Sequence, residues 1–69
     1  MLNPALLDQL RHAVETDDWI GAADVCLEID LEATSPLDRS RAEALAKAVR
    51  LRQADQIKDI IDGLGYPAP

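Results

Sequence analysis

Hydrophobic residues recur along the chain at the three- and four-residue spacing of amphipathic helices, and no run alternates as a strand would. The first apolar face follows Asn3, a favourable helix cap, and Pro4, which suits the first helical position because it lacks an N–H. Its members are Leu6, Leu7, Leu10, Ala13 and Val14. The pattern predicts a first helix over residues 4–16.

A second helix is predicted over residues 18–33, because Asp17 or Asp18 can cap it at the positive end of its dipole. One apolar stripe comprises Ile20, Ala23, Leu27 and Leu31. A neighbouring stripe comprises Trp19, Ala22, Cys26 and Ile29. On the polar side, Asp24, Glu28 and Glu32 are spaced four apart and repel one another slightly, which indicates either a role in solubility or a basic partner.

The third helix starts at Ser35 and Pro36, with Asp38 where a capping-box acid reaches back. No breaker follows until Gly63, so the pattern predicts one helix over 36–62, about 39 Å long. Its apolar face changes sides near 52–53. The face of the first half comprises Leu37, Ala44, Leu45, Ala48, Val49 and Leu51. The face of the second half comprises Ala54, Ile57, Ile60, Ile61 and Leu64.

A straight helix with this switch cannot bury both faces against one short hairpin. Either it breaks near Gln53 and folds back as a fourth helix, or its second half packs against another chain. Since no Gly, Pro or Asn marks a turn there, we favour a second, identical chain. The predicted dimer interface comprises Leu51, Ala54, Ile57, Ile60, Ile61 and Leu64.

The predicted fold class is therefore all-α: a short antiparallel helical hairpin plus a long third helix, assembled as a dimeric helical bundle. One domain is predicted over residues 1–65, followed by a tail at 66–69. With 69 residues, the chain is near the lower limit for a single core, so stabilisation by a partner or a second copy is expected.

The charge narrows the choice of partners. The formal net charge is −6 and the acids concentrate in residues 1–32, which argues against nucleic acid as a partner. The start of the chain lacks the pattern of a secretory signal, and no apolar run is long enough to span a membrane. A cytoplasmic location is expected, with one cysteine fitting a reducing compartment.

Catalytic groups are not evident in the sequence. His12 lies on the polar side of the first helix without a nucleophile to serve, and Cys26 is expected to act as a small core hydrophobe. One histidine and one cysteine cannot supply a four-ligand zinc site. We expect no enzyme activity, no metal and no cofactor. Four basic residues share one quadrant of the third helix and favour a solvated face over an anion site: Arg39, Lys47, Arg50 and Lys58.

The segment "DDWIGAAD" carries two resemblances. Trp19, Ala22, Ala23 and Cys26 resemble the junction of tetratricopeptide-type hairpins, in which small residues let two helices approach closely. Asp18-Trp19 and Ala22-Ala23, followed by the basic stretch 39–52, also resemble small bacterial negative regulators of AraC-type activators. Flagellar and type III export chaperones are similar in their L-x-x-L helices and acidic-Trp junction, and phage anti-activators in general character. These resemblances imply a small helical protein that binds another protein.

The predicted function is that of a protein-binding regulator, which inhibits or sequesters a target protein, favoured to be a transcriptional regulator. An aliphatic surface would capture a helix of the target, and the acidic second helix would steer the encounter. The predicted partner-binding residues are Trp19, Asp24, Glu28 and Arg50. One alternative is an export or assembly chaperone that shields a client helix. The other, least favoured, is a DNA-binding or DNA-mimic protein.

Overall fold

In the computed structural model, which describes residues 2–64, the chain forms four helices and, within that range, no strand. They are α1 (Pro4–Glu15), α2 (Trp19–Glu32), α3 (Pro36–Arg50) and α4 (Ala54–Gly63). The all-α class is confirmed, and the first two helices end within one residue of their predicted bounds. The predicted tail at 66–69 lies outside the described residues.

Side-chain caps begin the three helices that the sequence predicts. The Asn3 side chain accepts a hydrogen bond from the Ala5 N–H at 3.0 Å, and the Asp18 carboxylate accepts one from the Gly21 N–H at 2.9 Å. Ser35 Oγ accepts from the N–H three residues later at 3.1 Å. Gln53, which precedes α4, makes no such bond. The sequence therefore contains no capping residue that marks the start of α4.

The single helix predicted over 36–62 is wrong, because α3 ends at Arg50 and α4 begins at Ala54. Arg52 adopts a left-handed conformation with φ of 54°. Its N–H donates to the Val49 carbonyl at 3.0 Å, and the Gln53 N–H donates to the Ala48 carbonyl at 2.9 Å, as in a Schellman motif. The left-handed residue costs about 1–2 kcal/mol. Burying the isoleucines of α4 contributes about 1.5–3 kcal/mol each and outweighs that cost.

The turn between α1 and α2 has the same backbone form. Asp17, 35 positions before Arg52, has φ of 59°, and its N–H donates to the Val14 carbonyl at 3.2 Å. The Asp18 N–H donates to the Ala13 carbonyl at 2.8 Å. Burial repeats at the same offset in the pairs Leu10/Leu45, Ala13/Ala48, Val14/Val49, Ala22/Ile57 and Cys26/Ile61. The chain therefore consists of two structurally equivalent helical hairpins.

The two hairpins close into a ring around one core. Within the described residues, α1 packs against α2, α2 against α3, α3 against α4 and α4 against α1, while the backbones of the diagonal pairs lie farther apart. Exchanging the two hairpins reproduces the same set of neighbouring helices. The largest fully buried side chains are Leu2, Leu10, Ile29, Leu45 and Ile57.

This ring corrects the prediction for the dimer interface. Ile57 and Ile61 are buried in the core of their own chain, and Leu51 is the exposed member of the predicted set. The half-buried members, packed against the same core, are Ala54, Ile60 and Leu64. The reason is the turn at Arg52, which folds the second apolar face back onto the first hairpin. The two buried isoleucines of that face therefore pack inside their own chain.

Replacing Arg52 by glycine is expected to raise the free energy of unfolding by about 1 kcal/mol, because glycine adopts a positive φ without strain. Urea denaturation followed by circular dichroism measures the change. The matched Asp17→Gly variant should gain less, because Asp17 Oδ1 accepts a hydrogen bond from Trp19 Nε1 at 2.6 Å. Equal gains at both turns would contradict this account.

Replacing Gly21 by alanine is expected to leave stability nearly unchanged, although an interior glycine normally costs a helix about 1 kcal/mol relative to alanine. A Cβ at this position would meet the Asp18 carboxylate that caps α2. In an Asp18→Ala background the full gain of about 1 kcal/mol should return. A double-mutant cycle of thermal denaturation tests this coupling, and additive effects would disprove it.

Candidate functional site: the groove between helices 2 and 3

Helix α2 carries two neighbouring apolar stripes and an acidic side, so its apolar surface is wider than one core contact requires. Only one of its two predicted stripes is buried: Ala22, Cys26 and Ile29 lie in the core, with Trp19 and Val25 packed partly against it. The other stripe lies in solvent. We call Ile20, Leu27 and Leu31 the α2 stripe, and their exposed fractions are 82%, 65% and 83%.

Beside this stripe lies the α2–α3 groove, a cavity of about 610 Å³. From α2 it is lined by Ala23, Cys26, Leu27 and Asp30. From α3 it is lined by Arg39, Glu43, Ala46, Val49 and Arg50. Leu27 belongs to both surfaces, so the apolar floor of the groove is continuous with the α2 stripe.

The second hairpin supplies an internal reference for this surface. At the offset of 35 residues, the positions equivalent to Ile20 and Leu27 are Asp55 and Asp62. Arg11 Nη2 donates to Asp62 Oδ1 at 2.8 Å and bridges α1 to α4. The pair equivalent to Arg11 and Asp62 is Ala46 and Leu27. The same place in the fold is thus bridged by an ion pair in one groove and is open and apolar in the other.

The acidic residues of α2 do not stabilise it as a helix. It carries Asp24, Glu28, Asp30 and Glu32 and no basic residue. Acids near the helix C-terminus oppose the dipole and each cost about 0.3–1 kcal/mol. Across the groove, Arg39 and Arg50 form no ion pair with any residue in 2–64. Arg11, by contrast, pairs with Asp62. Both rims therefore hold charges that a bound partner could satisfy.

The four predicted partner-binding residues fall in different places. Asp24 and Glu28 are exposed on the outer side of α2, and Arg50 is exposed at the α3 rim of the groove. Trp19 is half-buried against the core, and its indole N–H donates to Asp17 Oδ1 at 2.6 Å, which gives it a structural role at the turn. Sequence reasoning missed the α2 stripe as a site, although the presence of a second apolar stripe beside the buried one is its signal.

Cys26 lies in the wall of the groove with 6% of its surface exposed, and burial raises the pKa of its thiol to about 11. Only the thiolate reacts with alkylating agents. At pH 9, a pKa of 11 leaves about 1% thiolate, against about half for the ordinary value of 9.0.

Alkylation of Cys26 by iodoacetamide at pH 9 should therefore be at least about 50-fold slower in the folded chain than in urea. The stability contributed by the neutral thiol is complete below pH 9 and is lost as the pH rises through 11, because only the unfolded chain ionises in that interval. Mass spectrometry measures the alkylation rate. A folded-state rate equal to that in urea would contradict this burial.

No protein-family model, curated protein or solved structure matches the chain. Within residues 2–64, none of the helices combines the length and hydropathy needed to cross a membrane. The same residues bring no three His, Cys, Asp or Glu side chains together as metal ligands.

Proposed function

We propose that the chain is a protein-binding regulator that inhibits or sequesters a target protein by holding one of its helices in the α2–α3 groove. The target class is a transcriptional regulator, the setting is the cytoplasm, and no reaction is assigned to the chain. The observation that supports this proposal is the α2 stripe, which is apolar where the equivalent surface of α4 carries Asp55 and Asp62. The fold itself does not require apolar residues there.

The dimensions of the surface suit a helix. Ile20 and Leu31 are eleven residues apart, so the stripe runs for about 16 Å, or three turns. A partner helix with apolar residues on one face could cover this length. Each large side chain removed from water contributes about 1.5–3 kcal/mol, so three of them provide a substantial part of the free energy that association requires.

Inhibition would follow from occlusion, because a helix held in the groove is withheld from its own contacts. The resemblance of 18–23 to negative regulators of AraC-type activators supports a transcriptional regulator as the target. A chaperone for an exported client would use the same surface. The identity of the bound protein therefore discriminates between the two functions.

The test places a photo-crosslinking amino acid at position 27 and, as a matched control, at the equivalent position 62. We expect irradiation of cells that encode the protein to give an adduct with a transcriptional regulator at position 27 and not at position 62. The purified chain should then lower the occupancy of that regulator on its DNA site in a gel-shift assay, and a Leu27→Asp variant should not.

Three results would count against the proposal. Equal adducts at both positions would remove the α2–α3 groove as the binding surface. Capture of an exported protein at position 27 would support the chaperone function instead. Unchanged DNA occupancy of the captured regulator would show that binding does not inhibit it.

A further inference from the structure

We infer that the groove takes a basic amphipathic helix of another protein, with basic residues along the edge that faces Asp24 and Glu28. This inference rests on the proposed binding surface but not on the proposed class of target. It specifies the charge of the partner helix, which the α2 stripe alone does not determine.

The carboxylates of Asp24 and Glu28 lie where a helix bound to the α2 stripe would cover them. Asp24 and Glu28 are one helical turn apart, about 6 Å along the axis, and lie beside the α2 stripe on the side away from α3. A helix laid on the stripe would displace water from both carboxylates. Because charged groups lose hydration when covered, an occupant that supplies cations at matching spacing binds more tightly than a neutral or acidic one.

The opposite rim limits where the basic residues can lie. Arg39 and Arg50 line the groove from α3, and neither makes an ion pair with another described residue. Glu43 lies on the same rim, so its three charged groups sum to a net positive charge, and a partner that was basic on both edges would be repelled on this side. The occupant is therefore basic on one edge and neutral or acidic on the other.

A second copy of the chain does not fit this description as well. A copy would offer either α2, which carries four acids and no basic residue, or Leu37 and Leu51 of the third helix. These two leucines are fourteen residues apart and have no other large exposed apolar side chain between them, so they do not form a continuous stripe. Packing α2 antiparallel on α2 would place carboxylates against carboxylates, at a formal net charge of −6 per chain. The occupant is thus a different protein.

Two synthetic helical peptides, three to four turns long, test the inference. They share one leucine face and differ on one edge, which carries Lys at i, i+4 in the first peptide and Glu in the second. The other edge is Gln in both. Fluorescence anisotropy measures their affinity for the whole chain, and protection of Cys26 from alkylation reports whether the peptide lies in the groove.

We expect the Lys peptide to bind at least about tenfold more tightly than the Glu peptide at low salt, with the difference shrinking as salt is added. It should also slow alkylation of Cys26. Asp24→Lys should remove most of the preference, whereas Asp59→Lys, at the equivalent position of α4, should leave it unchanged. The Asp59 variant controls for the overall change in charge.

Equal affinities, no binding by either peptide, or the same loss in both variants would overturn the inference. So would Cys26 protection that rises with protein concentration alone and accompanies a dimer in sedimentation, because the occupant would then be a second copy. Failure of the peptides leaves the crosslinking result at position 27 intact. Failure to capture a regulator leaves the peptide preference intact.

Discussion

Replacing Ile57 by alanine is expected to remove a large share of the free energy of unfolding. Ile57 is fully buried and, with Ile61, is one of two buried residues of α4, a helix without a side-chain cap. Such truncations cost about 2–5 kcal/mol. A chain of this length is stabilised by roughly 3–10 kcal/mol in total. Circular dichroism in a urea titration gives the change in the free energy of unfolding.

The matched control is Leu51→Ala, since Leu51 is 54% exposed and its truncation should cost less than about 0.5 kcal/mol. The loss at Ile57 should not depend on protein concentration, because its neighbours belong to the same chain. An Ile57→Ala protein that remained fully folded but changed its oligomeric mass would instead support the interface expected from the sequence pattern.

Copying the ion pair of the α1–α4 groove into the α2–α3 groove is expected to weaken partner binding strongly while leaving the fold intact. The double variant Leu27→Asp/Ala46→Arg places the equivalents of Asp62 and Arg11 across the groove. Losing the burial of one leucine at the contact corresponds to roughly a 100-fold weaker complex. Because Leu27 is exposed in the free chain, the free energy of unfolding should change by less than about 1 kcal/mol.

Anisotropy with the Lys-edged peptide measures binding, and urea denaturation measures stability. The reciprocal variant, Arg11→Ala/Asp62→Leu, controls for disturbance of the ring and should leave binding at the α2–α3 groove unchanged. Undiminished affinity of the Leu27→Asp/Ala46→Arg protein would show that the partner does not enter this groove.

The helix starts were predictable where the sequence carries caps, at Asn3, Asp18 and Ser35. The break in the third predicted helix was not, because the left-handed position of that turn is Arg52 rather than glycine and Gln53 caps nothing. The switch of the apolar face was the correct signal of the break. The second apolar face folds back onto its own chain because the free energy gained by burying its isoleucines is larger than the cost of the left-handed residue.

The candidate site was predictable in part. The acids Asp24 and Glu28 could be placed on the outer side of α2 from spacing alone. The exposure of the α2 stripe depends on α3 and α1 covering only one side of α2, a tertiary result that no local pattern contains. The comparison with Arg11 and Asp62, 51 residues apart in sequence, required the ring to be known.

The contact between α1 and α4 has a consequence for how the chain folds. Each hairpin joins its helices through a short turn, so its contacts are local and can form within microseconds. The packing of α1 on α4 joins opposite ends of the described sequence and carries the largest loop-closure entropy in the fold. Docking of the two preformed hairpins is therefore expected to limit the folding rate, and mutations at the α1–α4 contact should slow folding more than equally destabilising mutations within either turn.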